Sequence, residues 1–267
     1  GFCLVGSEMC IRDRLDTDAI DNLKVRVSYG QTGNEPGSSY ISLQRFGPAG
    51  NFYYNGAYTS SYGPTSNANP DLAWEIATHL NVGVDFAFVN SRLFGSLEYF
   101  TRETKDQLLS VNVPVPPNLV GQTLLNIGTT KNAGFEANVN FNVSNSSNFD
   151  WTTGIVFGTS TSELMSWTKG DLSFSGGVLY RAAMGSPGQS GVSLVRVVEG
   201  ETLGQIWGPR YEGINADGTF KFADLDGDGS YCDCDDDREV IGNGLPDFTL
   251  GWTNTFNIGN LDISMFW

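Results

Sequence analysis

The sequence lacks the features on which helical membrane proteins and most enzymes depend. It contains no run of about 18 apolar residues, so no transmembrane helix is predicted. Its single histidine, His79, has no second histidine or catalytic cysteine pattern to complete a triad or a histidine metal site. No phosphate loop or dinucleotide fingerprint is present. We therefore predict that the chain is not an enzyme and that His79 is structural or lies on a polar face.

Basic charge is also scarce. The chain has 15 Lys and Arg residues against 30 Asp and Glu residues, a net charge of -15. A nucleic-acid partner is therefore not expected, because nucleic-acid binding needs a basic surface. Only 17% of the residues are charged, whereas 12% are aromatic and 33 are glycine. This composition favours β structure over helix bundles or disorder.

Cysteines are few. Four in a chain of 267 residues cannot form a disulfide framework. The Cys232-x-Cys234 pair is weak evidence for a metal site or a disulfide, and we give it no role. The opening residues 1–14, which hold Cys3 and Cys10, resemble translated sequencing adapter. We exclude them from the predicted folded domain at 15–267.

The strongest pattern present is an alternation with a period of two. In Phe135–Val143 the odd-numbered residues are apolar, and Glu136, Asn138, Asn140 and Asn142 lie on the other side. Of 32 positions on the apolar faces of seven such segments, 29 are apolar and none is charged. Absence of charge matters because a Lys or Arg facing mid-bilayer costs roughly 2–4 kcal/mol. The seven predicted strands are 23–29, 80–88, 93–99, 135–143, 151–157, 248–258 and 261–267.

The lengths of the connections alternate as well. Short links follow residues 88, 143 and 258. A gap of about 40 residues follows the strand that begins at Leu23, and further long links run over about 105–132 and 162–246. Membrane barrels have short periplasmic turns and long extracellular loops. We predict an all-β fold, an antiparallel transmembrane β-barrel fragment of about seven strands of a larger barrel, with 162–246 as a long extracellular loop region. A soluble β-sandwich or propeller, which also alternates, is the competing fold.

Two loop motifs are candidate sites. Asp224, Asp226 and Asp228, followed by Ser230, have the spacing that opens an EF-hand-type calcium loop, with Asp235 or Asp237 to close it. We expect a structural Ca²⁺ of modest affinity, and the competing interpretation is a solvated acidic turn. The tyrosines of the first long loop could stack on sugar rings or contact a lid over the barrel, or simply pack on their neighbours: Tyr53, Tyr54, Tyr58 and Tyr62.

Several strings, in this order, resemble the SusC/RagA type of TonB-dependent outer-membrane transporter. They include LKVRVSYGQTGN (Leu23–Asn34), NPDLAWE (Asn69–Glu75), NIGTTKNAGFEANVNF (Asn126–Phe141), FADLDGDG (Phe222–Gly229) and VIGNGLPDFTLGWTNTF (Val240–Phe256). The segment SYCDCDD (Ser230–Asp236) departs from the family pattern as an insert, which affects the choice of the closing metal ligand.

The resemblance implies a role in nutrient uptake at the cell outer membrane. It implies import of oligosaccharide or peptide cargo, a SusD-like lipoprotein over the extracellular mouth, and a TonB complex acting through a plug. The wall would contact outer-membrane lipid. Barrels of this class have 22 strands and a plugged lumen, so seven strands would be part of the wall, truncated at both ends. The alternatives are a passive porin or adhesin barrel, or a soluble calcium-binding and carbohydrate-binding β domain.

Overall fold

The computed structural model describes residues 9–10, 20–146, 148–170, 172–173, 177–185, 192–232 and 234–267. The prediction made for residues 1–14 lies outside these residues except at Met9–Cys10.

The described residues form eighteen strands and one 3₁₀ turn, Asp235–Asp237. The strands are β1 (Met9–Cys10), β2 (Ile20–Asn34), β3 (Phe46–Tyr54), β4 (Ala57–Pro64), β5 (Glu75–Phe88), β6 (Leu93–Asn112), β7 (Gln122–Ser146), β8 (Phe149–Ser166), β9 (Thr168–Lys169), β10 (Leu172–Ser173), β11 (Val178–Ala183), β12 (Ser193–Val198), β13 (Gln205–Gly208), β14 (Tyr211–Ile214), β15 (Phe220–Phe222), β16 (Glu239–Asn243), β17 (Thr249–Ile258) and β18 (Leu261–Phe266).

One large antiparallel sheet contains all seven strands predicted from the alternation. Its order is β1-β2-β5-β6-β7-β8-β17-β18, and the sheet is not closed. All neighbouring strands pair antiparallel, and residues paired in register point to the same face of the sheet. One such level on the apolar face crosses six strands: Val25, Val84, Leu97, Ala137, Phe157 and Leu250.

Among the described residues, none forms a second layer over the apolar face. Phe135 and Phe141, in the middle of the sheet, are 36% and 40% exposed, and Leu250 at its far side is 61% exposed. In a sandwich these side chains would be buried against a facing sheet. The competing prediction of a soluble β-sandwich is therefore wrong for this sheet.

Charge appears on the apolar face only at one end of the wall. One register level beyond Tyr29 and Leu80, the aligned residues are polar or charged: Gln31, Thr78, Glu103, Lys131 and Glu163. Between this charged row and the short turns, β5 is apolar on this face from Leu80 to Phe88. Those residues span about 26 Å along the strand at roughly 3.3 Å per residue. With a tilt of about 40°, this approaches the apolar band of about 25 Å found on membrane barrels.

Tight turns connect the strands at one end, here called the short-turn end. Val89, Asn90 and Ser91 adopt positive φ between β5 and β6, and Gly259 does so between β17 and β18. Arg92 secures the first turn to β7, donating from Nη2 to the Val143 carbonyl at 2.9 Å with its guanidinium 5.4 Å from the Phe141 ring centre. The predicted short links are confirmed.

The long links contain more strand than the alternation predicted. β6 and β7 continue pairing to Asn112 and Gln122, inside the segment predicted as a loop at 105–132. The first long link holds the β3–β4 hairpin, and the third holds β9–β16. Periodicity missed these strands because pairing beyond the apolar band no longer needs one apolar face.

Buried apolar residues lie at the opposite, long-loop end. Among the described residues they are Ala77, Val111, Ile127, Leu164, Trp167 and Ala223. The middle of the wall contributes none. No helix long and apolar enough to cross a membrane occurs among the described residues.

Candidate functional site

A charged cluster occupies the polar face of the wall. Arg26 on β2 donates from Nε to Asp85 at 2.8 Å and also pairs through Nη2 with Glu98 on β6. Arg26 reaches Glu98 by crossing Gly83 of β5, where an added Cβ would lie 3.1 Å from the Arg26 Nη2 atom. Glu136 lies directly opposite Glu98 in the register. The Arg26 guanidinium therefore pairs with two of the three neighbouring carboxylates, those of Asp85 and Glu98.

A shallow cavity of about 410 Å³ lies beside this cluster. Its lining includes Glu98, Glu136, Asn138 and Thr249. Carboxylates, an amide and a hydroxyl make this part of the polar face suited to water and polar groups rather than to lipid. His79 lies on the same face, paired in register with Arg102, away from any second histidine.

Asparagine side chains bind the first two long connections together. The Asn67 amide donates to the carbonyls of Val120 and Gln122 at 2.8 and 2.9 Å, and its Oδ1 accepts from the Val120 N–H at 3.1 Å. Asn69 donates to the Leu124 carbonyl at 2.8 Å. Both side chains thus make the hydrogen bonds that the backbone of a neighbouring strand would otherwise make.

Asn126, in the second long link, bonds in turn to the backbone of Ala73 in the first long link. Its side chain accepts from the Ala73 N–H and donates to the Ala73 carbonyl, both at 2.9 Å, and donates to the Asp106 carbonyl at 2.7 Å. Asn126 is only 6% exposed. We name the unit formed by residues 66–75, 105–112 and 119–128 the asparagine bracket. A second cavity of about 410 Å³, which includes Arg45, Ser66 and Thr123 in its lining, opens beside it.

The predicted tyrosines lie together on the β3–β4 hairpin. Tyr53 and Tyr58 face each other across it with ring centres 5.3 Å apart. Tyr53, Tyr54, Tyr58 and Tyr62 are between 65% and 79% exposed. None of the four is packed into a core, although Tyr53 and Tyr58 pack on each other across the hairpin.

The acidic turn, Asp224–Asp237, brings together three of the predicted metal ligands. Carboxylate oxygens of Asp224, Asp226 and Asp237 lie within 4.8 Å of one another. The two oxygens of Asp224 accept from the N–H groups of Gly227 and Gly229 at 2.7 and 2.8 Å, which curls the turn around them. Gly227 and Gly229 have φ of +77° and +95°, a region that favours glycine.

Asp237 closes the turn in place of Asp235. It is fully buried, and its oxygens accept from the N–H groups of Leu225 and Cys232 at 2.7 and 2.6 Å. Asp235 instead accepts from the Tyr180 hydroxyl at 2.9 Å. Asp228 is bonded to the backbone and hydroxyl of Ser230, and neither residue belongs to the three-carboxylate group.

Two carboxyl pKa values in the acidic turn shift in opposite directions. The N–H groups of Cys232 and Leu225 lower the pKa of Asp237. For Asp226 the Asp228 N–H lowers the pKa, but burial and the nearby carboxylates of Asp228, Asp224 and Asp237 outweigh it, so the net shift is upward. Crowded negative charge is the electrostatic condition that a cation would relieve.

Sequence reasoning missed two features of these sites. The asparagine bracket could have been suspected from the Asn67-x-Asn69 spacing, which places two amides on one side of an extended segment. The sulfurs of Cys232 and Cys234 form a disulfide, with Cα atoms 5.3 Å apart. A C-x-C spacing alone could not separate this outcome from two free thiols.

Comparison with known proteins places the chain in a family. Residues 17–263 match the family described as TonB dependent receptor-like, beta-barrel. TonB-dependent receptor P3 of Formosa agariphila is 30% identical over 271 residues, covering 94% of this chain and 26% of that protein. TonB-dependent receptor SusC of Bacteroides thetaiotaomicron is 34% identical over 129 residues, covering 47% of this chain and 13% of that protein.

Solved structures agree on the fold. The RagAB peptide importer in its open-open state superposes with a TM-score of 0.76 at 19% identity, covering 98% of this chain and 27% of that one. The closed-closed state gives 0.68 at 19% identity, covering 98% and 28%. The chain spans about a quarter of the length of P3 and of RagAB. It belongs to the TonB-dependent receptor-like β-barrel family, and it is similar to SusC in sequence and to RagAB in fold.

Proposed function

We propose that the chain forms part of the barrel wall of an outer-membrane importer that is energised through TonB and works with a SusD-like lipoprotein. The observation that carries the proposal is the uncovered apolar face, which is charge-free up to the row containing Glu103, Lys131 and Glu163. A protein that leaves such a face open needs lipid to cover it. The relatives named above are receptors or importers, in keeping with a chain without enzymatic activity.

Orientation follows from the lengths of the connections. Short turns would face the periplasm and long connections the exterior. The apolar face would then contact outer-membrane lipid, and the face with Arg26, Glu98 and Glu136 would line the lumen. A segment filling that lumen would meet three carboxylates and one arginine on this stretch of wall, so basic groups on it would be complementary.

The proposed cargo is a kind of molecule, an oligosaccharide or a peptide, and not a single compound. RagAB is named a peptide importer, but 19% identity supports only the shared fold. The test is uptake by cells that carry the full-length transporter and its lipoprotein, fed labelled oligosaccharides or oligopeptides, with and without tonB. Uptake that requires TonB supports import. Equal uptake without TonB would favour the passive porin, and adhesion without uptake would favour the adhesin.

The exposed tyrosines of the β3–β4 hairpin are proposed to contact the lipoprotein lid or the cargo. Tyrosine offers a rigid apolar ring with a polar tip, which suits both a protein interface and the face of a sugar. The test compares Tyr53→Ala/Tyr58→Ala with Tyr40→Ala, an exposed tyrosine outside the hairpin. Weaker copurification of the lipoprotein, or weaker cargo binding, in the first variant alone would support the proposal, and equal behaviour of both variants would contradict it.

A structural role for Ca²⁺ in the acidic turn is proposed on the convergence of Asp224, Asp226 and Asp237. Calcium takes six to eight oxygens, so these carboxylates would be completed by carbonyls or water, at modest affinity. The matched test is calcium titration of the intact transporter carrying Asp237→Asn or Asp236→Asn. Only Asp237 belongs to the group, so only its substitution should weaken calcium protection of the loop from protease. Equal protease sensitivity with and without calcium would mean that the segment is a solvated acidic turn that binds no ion.

A further inference from the structure

The same turn holds a second group of donors that the calcium proposal does not use. The sulfurs of Cys232 and Cys234 and a carboxylate oxygen of Asp237 lie within 4.8 Å of one another. Both cysteines are half-buried and Asp237 is fully buried. They converge because the 3₁₀ turn Asp235–Asp237 folds the chain back, while the Cys232 N–H bonds to Asp237 at 2.6 Å.

The donor atoms differ chemically from those of the oxygen group. Thiolates are soft ligands that select zinc and similar metals, whereas calcium takes oxygen. In a tetrahedral zinc site with Zn–S bonds of about 2.3 Å, neighbouring donor atoms are about 3.7 Å apart. After the S–S bond is broken, the two sulfurs would have to move apart to that spacing, while the Asp237 carboxylate already lies within 4.8 Å of them. A water would supply the fourth ligand.

While the Cys232–Cys234 disulfide is intact, the two sulfurs cannot act as thiolate ligands. We propose that Cys232, Cys234 and Asp237 form a binding site for a soft divalent cation, zinc being the representative, that becomes available when this disulfide is reduced. Two equivalents of an external thiol supply the two electrons and two protons that convert the S–S bond into two thiols, and the reductant becomes a disulfide. Zinc then displaces the two protons, because only thiolates coordinate the metal.

The position of the turn is suited to a response of this kind. The Tyr180 hydroxyl on β11 donates a hydrogen bond to Asp235, which connects the turn to the four-stranded sheet formed by β11, β12, β13 and β16. Asp237 belongs to both donor groups. A zinc ion held by the cysteines would therefore compete with an ion held by Asp224 and Asp226.

The test uses the intact transporter in detergent, with cadmium and zinc as probes. After reduction by a thiol and removal of the reductant, cadmium should produce thiolate-to-metal charge-transfer absorption with two thiolates per metal. Zinc should bind about 100-fold or more tightly than in the oxidised protein, which keeps only one of the three donors. Cys232→Ser/Cys234→Ser should lose both signals, whereas Asp236→Asn, which removes none of the three donors, should keep them.

A further variant separates this site from the calcium proposal. Asp226→Ala removes an oxygen ligand but none of the three zinc donors, so zinc binding after reduction, measured without calcium, should be unchanged. Equal zinc affinity before and after reduction, or zinc binding retained by Cys232→Ser/Cys234→Ser, would overturn the proposal. Neither result depends on whether calcium binds.

Discussion

Arg26 and Glu98 form an ion pair although a whole strand, β5, separates them. The guanidinium passes over Gly83, the residue paired in register with both. Any side chain at position 83 would stand in its path. A glycine in the interior of a strand weakens it, so the value of Gly83 lies in the contact that it permits between two strands that are not neighbours.

Replacing Gly83 with leucine should separate Arg26 from Glu98. The ion pair is partly exposed, with side-chain exposures of 39% and 24%, so the expected loss of barrel stability is only about 0.5–1 kcal/mol after allowance for solvent screening. Gly30→Leu is the control, because nothing lies within 4 Å of a Cβ at that position. The measurement is the midpoint of thermal unfolding on a gel that separates folded from unfolded barrel. Equal shifts in both variants would show that strand propensity, not the ion pair, is responsible.

A positive charge on the apolar face should block assembly, whereas the same charge one residue away should not. Val139→Arg places a cation among Gly95 and Ile155, its register partners, at a cost of roughly 2–4 kcal/mol near the bilayer midplane. Asn138→Arg places it on the polar face. We expect the amount of folded receptor in the outer membrane to fall only for Val139→Arg. Similar losses for both variants would contradict the assignment of the two faces.

Removing the Asn126 amide should open the asparagine bracket. Asn126→Ala leaves the Ala73 N–H, the Ala73 carbonyl and the Asp106 carbonyl without this partner. Ala73 and Asp106 are exposed residues that water can reach, so each lost hydrogen bond should cost about 0.5–1.5 kcal/mol. Hydrogen exchange at residues 67–75 and 105–112 should accelerate in Asn126→Ala. Asn118→Ala, whose side chain donates to the Pro114 carbonyl outside the bracket, should leave exchange unchanged. Normal exchange in Asn126→Ala would mean that other contacts hold the bracket.

The acidic turn should respond to pH in two stages. Asp226, whose pKa is raised, takes up its proton first as the pH falls, so calcium affinity should begin to decline above the ordinary aspartate range. Asp237 has a lowered pKa, so its stabilisation of the turn is fully present above the ordinary value and is lost as the pH falls through the folded-state value. Calcium titration and loop proteolysis from pH 7 to pH 3 measure the two stages. In Asp237→Asn the second stage should disappear, and loss of both stages together in the unmodified protein would contradict this order.

The wall could be predicted from sequence because a bilayer imposes a strict rule on each position. All seven predicted strands are present in the main sheet, since residues such as Val84 and Leu97 must be apolar when nothing but lipid covers them. The long connections obey no such rule. The paired ends of β6 and β7 contain Lys105, Asp106 and Gln107 among apolar residues, so their strand character depends on the partner and not on periodicity.

The candidate sites were predicted less completely for a related reason. The Asp224–Asp226 spacing defines half of the acidic turn, and Asp237 was one of two candidates to close it. The choice between Asp235 and Asp237 depends on contacts with Tyr180, Leu225 and Cys232. Those partners are brought in by the fold of the long connection and by the inserted segment, which local spacing does not reveal.

The charged row at the long-loop end has a consequence for how the receptor sits in its membrane. Glu103, Lys131 and Glu163 occur on successive strands at one register level, directly beyond the apolar band. Sliding the wall inward by two residues would push all of them into hydrocarbon, and sliding it outward would expose the apolar rings at the short turns to water. The row therefore sets how deeply the wall lies in the bilayer. It thereby also sets the distance of the asparagine bracket, the β3–β4 hairpin and the acidic turn from the lipid.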